Sequence, residues 1–205
     1  PRSLGAALRD AALRRPDHVA LAYYGTAITY GDLLGRVERL AAFLQHRAGV
    51  SRGDRVLVAM QNSPHFIIAF QAVVRARAVV VPVNPMNTTT ELDYLAADSG
   101  ARVALVGAEL LDRFGPLALG TVVAASYGDD VAADTPFRLP PVMADSVLPA
   151  VLPDGVVAWA DALAEARPPR PDDAAPDDLC VLPYTSGTTG KPKACMHTHD
   201  GTLFN

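Results

Sequence analysis

The chain has 205 residues, of which 50% are hydrophobic and 20% are charged. This length suits one domain or one and a half, and the composition excludes intrinsic disorder, coiled coil and collagen as descriptions of the whole chain. The formal net charge of -4 argues against nucleic acid as a general partner, because a surface that follows phosphates needs an excess of arginine and lysine.

The sequence also limits the compartment in which we expect the protein. No apolar run approaches the roughly 18 to 20 residues that a membrane-spanning helix needs, and the opening Pro-Arg-Ser does not begin a secretory signal. Two cysteines, Cys180 and Cys195, are too few for a disulfide framework. We therefore expect a cytoplasmic protein without a transmembrane segment. Residues 129–178 hold 11 acids against 3 arginines, which predicts a solvated acidic surface.

Helical and strand periodicities alternate over residues 3–125, which predicts an α/β fold with a mostly parallel sheet and helices on both faces. In chain order the predicted elements are a helix from Leu4 that stops before Pro16, a hairpin over 19–29, a helix over 32–47 that ends at Gly49, a strand over 55–60, a helix from Ser63-Pro64 to Arg75, a strand over 78–83, a helix over 88–99 with Thr90 as its cap, and strands over 102–106 and 121–126. Strand-helix-strand units of this kind should cross over right-handed.

The second part of the chain is less regular. Residues 136–154 are rich in proline, and residues 159–166 predict a short helix. Residues 167–178 hold four prolines and four aspartates, a composition that cannot bury enough apolar surface to fold. We therefore divide the chain into an α/β subdomain (1–166), a Pro/Asp-rich linker (167–178), and a strand, a loop and the start of a next subdomain (179–205).

The loop that follows the strand-like run 179–184 carries the chemistry. Its residues are Thr185, Ser186, Gly187, Thr188, Thr189, Gly190, Lys191, Pro192 and Lys193. Glycines let the backbone approach a bound group closely, and successive amides and hydroxyls can point at one anion. Two lysines add positive charge, so the expected ligand is a polyanion such as a triphosphate.

Lysine usage sharpens this hypothesis. Of the 18 basic residues 16 are arginine, and Lys191 and Lys193 are the two lysines of the chain. Their placement indicates that a compact, flexible ammonium group is needed where a planar guanidinium would not serve. The loop is not a Walker A motif, since two residues separate Gly187 from Gly190 and Pro192 follows Lys191. Because Pro192 also disfavours an immediate helix, we expect the loop to join two strands.

These residues resemble the adenylate-forming enzymes, a family that includes acyl-CoA synthetases, luciferases and the adenylation domains of peptide synthetases. The segment YTSGTTGKPKA (184–194) resembles the family signature through Lys193. Residues 28–33 (ITYGDL) resemble an early family element, and 77–105, with VPVNP and DSGA, resemble a second one. Asn84-Pro85-Met86 and residues 196–199 (MHTH) look more like fatty acyl-CoA ligases than peptide-synthetase domains.

The resemblance implies a two-step ligase. A carboxylate attacks the α-phosphate of ATP, pyrophosphate leaves, and the acyl group passes to the thiol of coenzyme A. The expected nucleotide-binding residues are Thr185, Ser186, Gly187, Thr188, Thr189, Gly190, Lys191 and Lys193. Magnesium is expected on the phosphates, a fatty acid as the carboxylic acid, and a homodimer stays open. Because family members continue well beyond this point, we expect an N-terminal fragment that holds no catalytic or metal-binding residue and is inactive alone.

Two departures from the family pattern and two alternatives remain. Ala194 stands where the family usually has glycine, and Pro183 removes a ladder donor, which predicts an edge or irregular strand. On a strand, Cys195, His197 and His199 would share one face and could imitate a zinc site with Cys180. A different class of function is a non-catalytic module that binds nucleotide or mediates oligomer contacts.

Overall fold

The computed structural model describes residues 3–185 and 191–204. In these residues the helices are α1 (Leu4–Arg14), α2 (Tyr30–His46), α3 (Pro64–Arg75), α4 (Thr89–Ser99), α5 (Leu111–Phe114), α6 (Pro141–Asp145), α7 (Trp159–Leu163) and α8 (His199–Phe204). The strands are β1 (Val19–Tyr23), β2 (Thr26–Thr29), β3 (Arg55–Ala59), β4 (Val79–Pro82), β5 (Val103–Gly107), β6 (Thr121–Ala125), β7 (Val156–Ala158), β8 (Leu179–Val181), β9 (Tyr184–Thr185), β10 (Lys193–Ala194) and β11 (His197–Thr198). None of these helices is both long and apolar enough to cross a membrane.

A seven-stranded sheet forms the centre of the molecule, with the strand order β11-β8-β4-β3-β5-β6-β7. Neighbouring strands run parallel throughout, except that β11 is antiparallel to β8. Two antiparallel pairs stand beside it, β1 with β2 and β9 with β10. The predicted α/β fold with a mostly parallel sheet is therefore confirmed.

Helices cover both faces of this sheet and create two cores. Residues of α2 and α3 pack on one face, whereas α4 and α5 pack on the other. Successive side chains of a strand point to opposite faces, so the adjacent Val80 and Val81 belong to different cores. Because β4 is covered on both sides, its sequence is a continuous apolar run.

The caps of the helices largely follow the sequence signals. Ser63 caps α3, accepting a hydrogen bond from the backbone N–H of Phe66 at 3.3 Å, and Pro64 occupies the first turn. The prediction that Thr90 caps α4 is wrong, because Thr88 forms the cap. The Glu91 carboxylate accepts from the Thr88 backbone N–H at 2.7 Å, and the Thr88 hydroxyl accepts from the Glu91 N–H, which makes a capping box.

The end of α2 also differs from the prediction. The helix ends at His46 and is capped by Arg47, so it stops before Gly49. Gly49 has a φ of 71°, a left-handed conformation that glycine adopts without strain. It turns the chain so that the Val50 N–H donates to the carbonyl of Leu44 at 2.8 Å.

Residues 167–178 form neither helix nor strand, but they are held against α2 and α3. The backbone N–H of Arg170 donates to Gln45 at 2.7 Å, and its carbonyl accepts from the Arg75 guanidinium at 2.8 Å. Arg52 forms a salt bridge with Asp178 at 2.6 Å. Polar contacts, and not apolar burial, therefore fix this segment. The division of the chain into subdomains stays a prediction.

Candidate functional site

The ends of the predicted phosphate-binding loop are brought together by a short hairpin. Strand β9 pairs antiparallel with β10, so that Thr185 lies opposite Lys193 and Tyr184 opposite Ala194. The prediction that the loop joins two strands is confirmed. Five of the expected nucleotide-binding residues, Ser186, Gly187, Thr188, Thr189 and Gly190, lie outside the described residues.

The hairpin lies at the carboxyl edge of the central sheet. It follows β8, which runs parallel to β4 with Val181 opposite Val80, and the Leu182 N–H donates to the Val80 carbonyl at 2.8 Å. Open α/β sheets bind their ligands beyond the carboxyl ends of their strands. The position of the hairpin therefore suits a binding loop.

Pro183 breaks the strand in the way its missing donor predicts. Strand β8 ends at Val181, and β9 begins only at Tyr184. The Pro183 carbonyl still accepts a hydrogen bond from the Cys195 N–H at 2.9 Å, so this residue helps to close the base of the hairpin.

The three described residues among those predicted for nucleotide binding are all exposed. Thr185 and Lys193 are cross-strand partners in the hairpin, and Lys191 lies just before β10. In the described part of the chain, neither lysine forms a salt bridge with an acidic residue. Their ammonium groups are therefore not neutralised by the described carboxylates and can attract an anion.

Two residues of α4 that the sequence analysis did not select contact this hairpin. The Tyr184 hydroxyl donates to Asp98 Oδ2 at 2.6 Å, and the Tyr94 hydroxyl donates to the Pro192 carbonyl at 3.0 Å. Lys191 Nζ lies 5.8 Å from the centre of the Tyr94 ring. The sequence signal that could have indicated them is their spacing of four residues on a helix, outside its buried stripe.

A second polar cluster, formed by Gln61, Glu109 and Tyr127, lies at the same edge of the sheet. These residues follow β3, β5 and β6 respectively. The buried Tyr127 hydroxyl accepts from the Gln61 N–H at 2.8 Å and donates to Glu109 Oε1 at 2.9 Å. Burial raises the pKa of Tyr127 far above its ordinary value, so the phenol remains a neutral donor. The cluster ties three strand ends together.

An adjacent group of charged residues is mostly buried. Arg36 pairs with Asp130 at 2.6 Å, and His65 Nε2 lies 3.7 Å from Asp130 Oδ2. Burial lowers the pKa of His65, an effect that the Asp130 charge opposes. Asp130 is therefore not part of the predicted solvated acidic surface of residues 129–178, because its carboxylate is buried and paired.

The zinc alternative lacks structural support. Strand β11 contains only His197 and Thr198, and His199 already begins α8, so the three side chains do not share a strand face. Cys180 and His199 are buried and have other partners, since Leu4 N–H donates to His199 Nδ1 at 3.4 Å, whereas Cys195 is exposed. Residues 3–185 and 191–204 contain no group of three or more His, Cys, Asp or Glu side chains placed to hold a metal ion.

Comparison with known proteins gives consistent relatives. The chain is 32% identical over 219 residues to a long-chain-fatty-acid–CoA ligase of Bacillus subtilis (strain 168), covering 100% of this chain and 38% of that protein. It is 35% identical over 190 residues to a feruloyl-CoA synthase of Amycolatopsis sp, covering 93% of this chain and 32% of that protein. A solved benzoate CoA ligase from Burkholderia xenovorans LB400 has the same fold, with a TM-score of 0.74 at 20% identity, covering 98% of this chain and 35% of the other.

The chain therefore spans about a third of the length of these curated relatives. A family model described as AMP-binding enzyme matches residues 8–205, which is nearly the whole sequence. The chain belongs to the AMP-binding enzyme family.

Proposed function

We propose that this chain provides the N-terminal part and the phosphate-binding loop of an ATP-dependent acid–thiol ligase. In that reaction a carboxylate oxygen attacks the α-phosphate of ATP, pyrophosphate leaves, and the acyl group then passes from AMP to the coenzyme A thiol. The observation that carries the proposal is the exposed hairpin at the carboxyl edge of the sheet, which bears both lysines of a chain that belongs to the AMP-binding enzymes.

The residues of the loop would act mainly by electrostatics. Hydroxyls and amides over 185–190 would donate hydrogen bonds to the β- and γ-phosphates. Lys191 and Lys193 would offset the negative charge that builds up on departing pyrophosphate. Donors fixed in advance at such a position stabilise the transition state more than the ground state.

Magnesium would bind at this site together with the nucleotide, and coenzyme A would be a co-substrate of the longer protein. Magnesium keeps most of its waters and binds through few protein oxygens together with substrate phosphates. The lysine ammonium groups cannot bind a metal ion, so the nucleotide phosphates and water would hold the ion, beside the exposed hydroxyl of Thr185. When bound, the ion would neutralise phosphate charge, while the lysines orient the triphosphate.

We further propose a fatty acid as the carboxylic acid and the cytoplasm as the location. Residues 84–86 and 196–199, and the relative named as a long-chain-fatty-acid–CoA ligase, support a fatty acid. The feruloyl-CoA synthase among the relatives makes an aromatic acid the competing substrate. A panel that contains both classes of acid would therefore decide the class.

The main test is substitution of the two lysines in the longer protein that contains this chain. We expect Lys191→Ala and Lys193→Ala together to lower acid-dependent exchange of pyrophosphate into ATP by about 100-fold or more, in the range found when a transition-state donor is removed. Arg14→Ala, which removes an exposed charge at the end of α1, is the matched control. Exchange at an undiminished rate in the double variant would refute the proposal.

The isolated chain offers a second test. With ATP, magnesium, hydroxylamine and a panel of fatty acids, we expect it to form no acyl hydroxamate, because it spans only about a third of its relatives. Appreciable hydroxamate would contradict this expectation. The alternative, a non-catalytic module, predicts that the 205-residue chain itself binds ATP or forms oligomers and supports no chemistry with any acid.

A further inference from the structure

The hairpin that carries the loop is too short to be stable by itself. Its ladder consists of two residue pairs, Thr185 with Lys193 and Tyr184 with Ala194. An isolated two-stranded hairpin is marginal in water even when it is much longer. Contacts from outside the hairpin must therefore supply most of its order.

Both arms of the hairpin receive such a contact from α4. We propose that Tyr94 and Asp98, here called the α4 clamp, are positioning residues that hold the arms on either side of the phosphate-binding loop. The proposal rests on the proposed function, because it assigns the clamp the task of presenting that loop and Lys191 to a nucleotide.

Asp98 holds the arm that enters the loop. Its Oδ2 atom accepts a hydrogen bond of 2.6 Å from the hydroxyl of Tyr184, the residue immediately before Thr185. A hydrogen bond to a carboxylate is stronger than one between neutral groups. Burial, followed by this bond, raises the pKa of Tyr184, so the phenol stays protonated and keeps donating.

Tyr94 holds the arm that leaves the loop. Its hydroxyl donates to the carbonyl of Pro192 at 3.0 Å, and Pro192 stands between the two lysines. The face of the same ring lies 5.8 Å from Lys191 Nζ, within the distance at which a cation and an aromatic ring attract each other. The ring therefore directs the ammonium group without neutralising its charge.

Helix α4 is itself held in place by its packing against the sheet. Tyr94 and Asp98 are four residues apart, so they lie one turn from each other on the same face. Leu92, Leu95 and Ala96 are buried against the sheet, and the capping box begins the helix. Since α4 cannot move without disturbing this core, the clamp fixes the two arms relative to the sheet.

The first experiment measures order in the hairpin without any activity. The 205-residue chain contains two lysines, both in this segment, so a lysine-specific endoproteinase can cleave only there. When opening is fast, the cleavage rate follows the population of the open form. We expect Asp98→Ala and Tyr94→Leu each to raise the rate about tenfold, which corresponds to the loss of about 1.4 kcal/mol.

Conservative variants separate positioning from a general loss of stability. Asp98→Asn keeps an acceptor for Tyr184 and should restore most of the protection, and Tyr94→Phe keeps the ring beside Lys191 and should lie between the wild type and Tyr94→Leu. Asp93→Ala removes a neighbouring exposed carboxylate of α4 and should leave the rate unchanged. Tyr184→Phe removes the Asp98 bond from the other side, so it tests the clamp even if an α4 variant fails to fold.

The outcomes are decisive for the clamp. Wild-type cleavage rates in Asp98→Ala, Tyr94→Leu and Tyr184→Phe would overturn it, as would equal acceleration in Asp93→Ala. Faster cleavage in Asp98→Ala, Tyr94→Leu and Tyr184→Phe would support the clamp, provided that Asp98→Asn restores protection and that the midpoint of thermal unfolding is unchanged.

The second experiment asks what the clamp does for the nucleotide. In the longer protein, we expect Asp98→Ala and Tyr94→Leu to raise the KM for ATP about tenfold in pyrophosphate exchange, with a smaller change in kcat. Asp98→Asn should recover the wild-type KM. If the lysine variants keep full exchange while the clamp variants still accelerate cleavage, the proposed function and the clamp's task toward a nucleotide fail, and only its hold on the hairpin is supported. If cleavage is unaffected, the clamp fails whatever the activity.

Discussion

Replacing Tyr127 with phenylalanine removes one oxygen atom from the polar cluster that joins three strand ends. The side chain is fully buried, with 0% of its surface exposed. Its hydroxyl is the hydrogen-bond partner of the Gln61 N–H at 2.8 Å and of Glu109 Oε1 at 2.9 Å. The other carboxylate oxygen, Glu109 Oε2, is buried and has no hydrogen-bond partner among the described residues. The substitution therefore leaves a buried amide and a carboxylate without this partner.

The size of the effect follows from these two losses. A hydrogen bond to a charged group contributes about 1.5 to 3 kcal/mol, and a buried donor left without a partner costs about 1 to 3 kcal/mol. Because Glu109 can reorient after the change, we expect the free energy of unfolding to fall by about 3 kcal/mol, toward the lower end of the combined cost. In a protein of this size, that corresponds to a fall of about 6 to 12 °C in Tm.

Tryptophan fluorescence provides the assay. Trp159 is the single tryptophan of the chain and is 3% exposed, so urea unfolding changes its surroundings directly. Tyr30→Phe is the control, because the Tyr30 hydroxyl makes no hydrogen bond with any residue in 3–185 or 191–204. The reasoning would be refuted if Tyr127→Phe changed the free energy of unfolding by less than about 1 kcal/mol, the size of a single weak hydrogen bond.

Three further predictions concern stability. Thr88→Ala removes the cap of α4 and should lower the free energy of unfolding, measured in urea, by about 1 kcal/mol. An unchanged free energy of unfolding would show that the capping box does not stabilise the protein. Gly100→Ala places a side chain at a φ of 69°, a left-handed conformation that strains alanine, and should cost more than about 1 kcal/mol; an unchanged urea midpoint would contradict the strain argument. Burial lowers the pKa of His65 and of His199, so the unfolded chain binds more protons than the folded chain below pH about 6.5. The stability that these neutral histidines contribute should therefore be complete above that pH, and the free energy of unfolding should fall from there toward pH 5. The fall should be less steep in His199→Gln than in the control His18→Gln. A free energy of unfolding that stays constant from pH 7.5 to 5 would contradict this prediction.

The sequence predicted the regular part of the fold because its signals are local. The apolar run over β4, the Ser63-Pro64 start of α3 and the alternation of periods need only a few neighbouring residues to be recognised. The cap of α4 was misplaced among three consecutive threonines, 88–90, each of which is a good cap by composition. Glu91, three residues after Thr88, was the signal that distinguishes them.

The contacts around the loop were less accessible to sequence reasoning because they join distant residues. Tyr94 and Asp98 meet Pro192 and Tyr184 across more than eighty positions, and helical periodicity shows only that both lie outside the buried stripe. The contacts of residues 167–178 are of the same kind. Their composition correctly excluded an apolar core, but it gave no sign of the arginines that bind the segment.

Salt bridges from two arginines reduce the negative charge of the acidic segment that precedes the loop. Arg52 and Arg77, from the arginine-rich first part of the chain, pair with Asp178 and Asp173 of the acidic segment. The excess of acids over residues 129–178 is thus partly neutralised before the chain reaches the hairpin. Lys191 and Lys193 lie beyond β8 and β9, and they form no salt bridge with the carboxylates that the structure describes. Because an attraction between charges is strongest where no nearer counter-ion competes, these two closely spaced ammonium groups can attract an arriving polyanion to the loop.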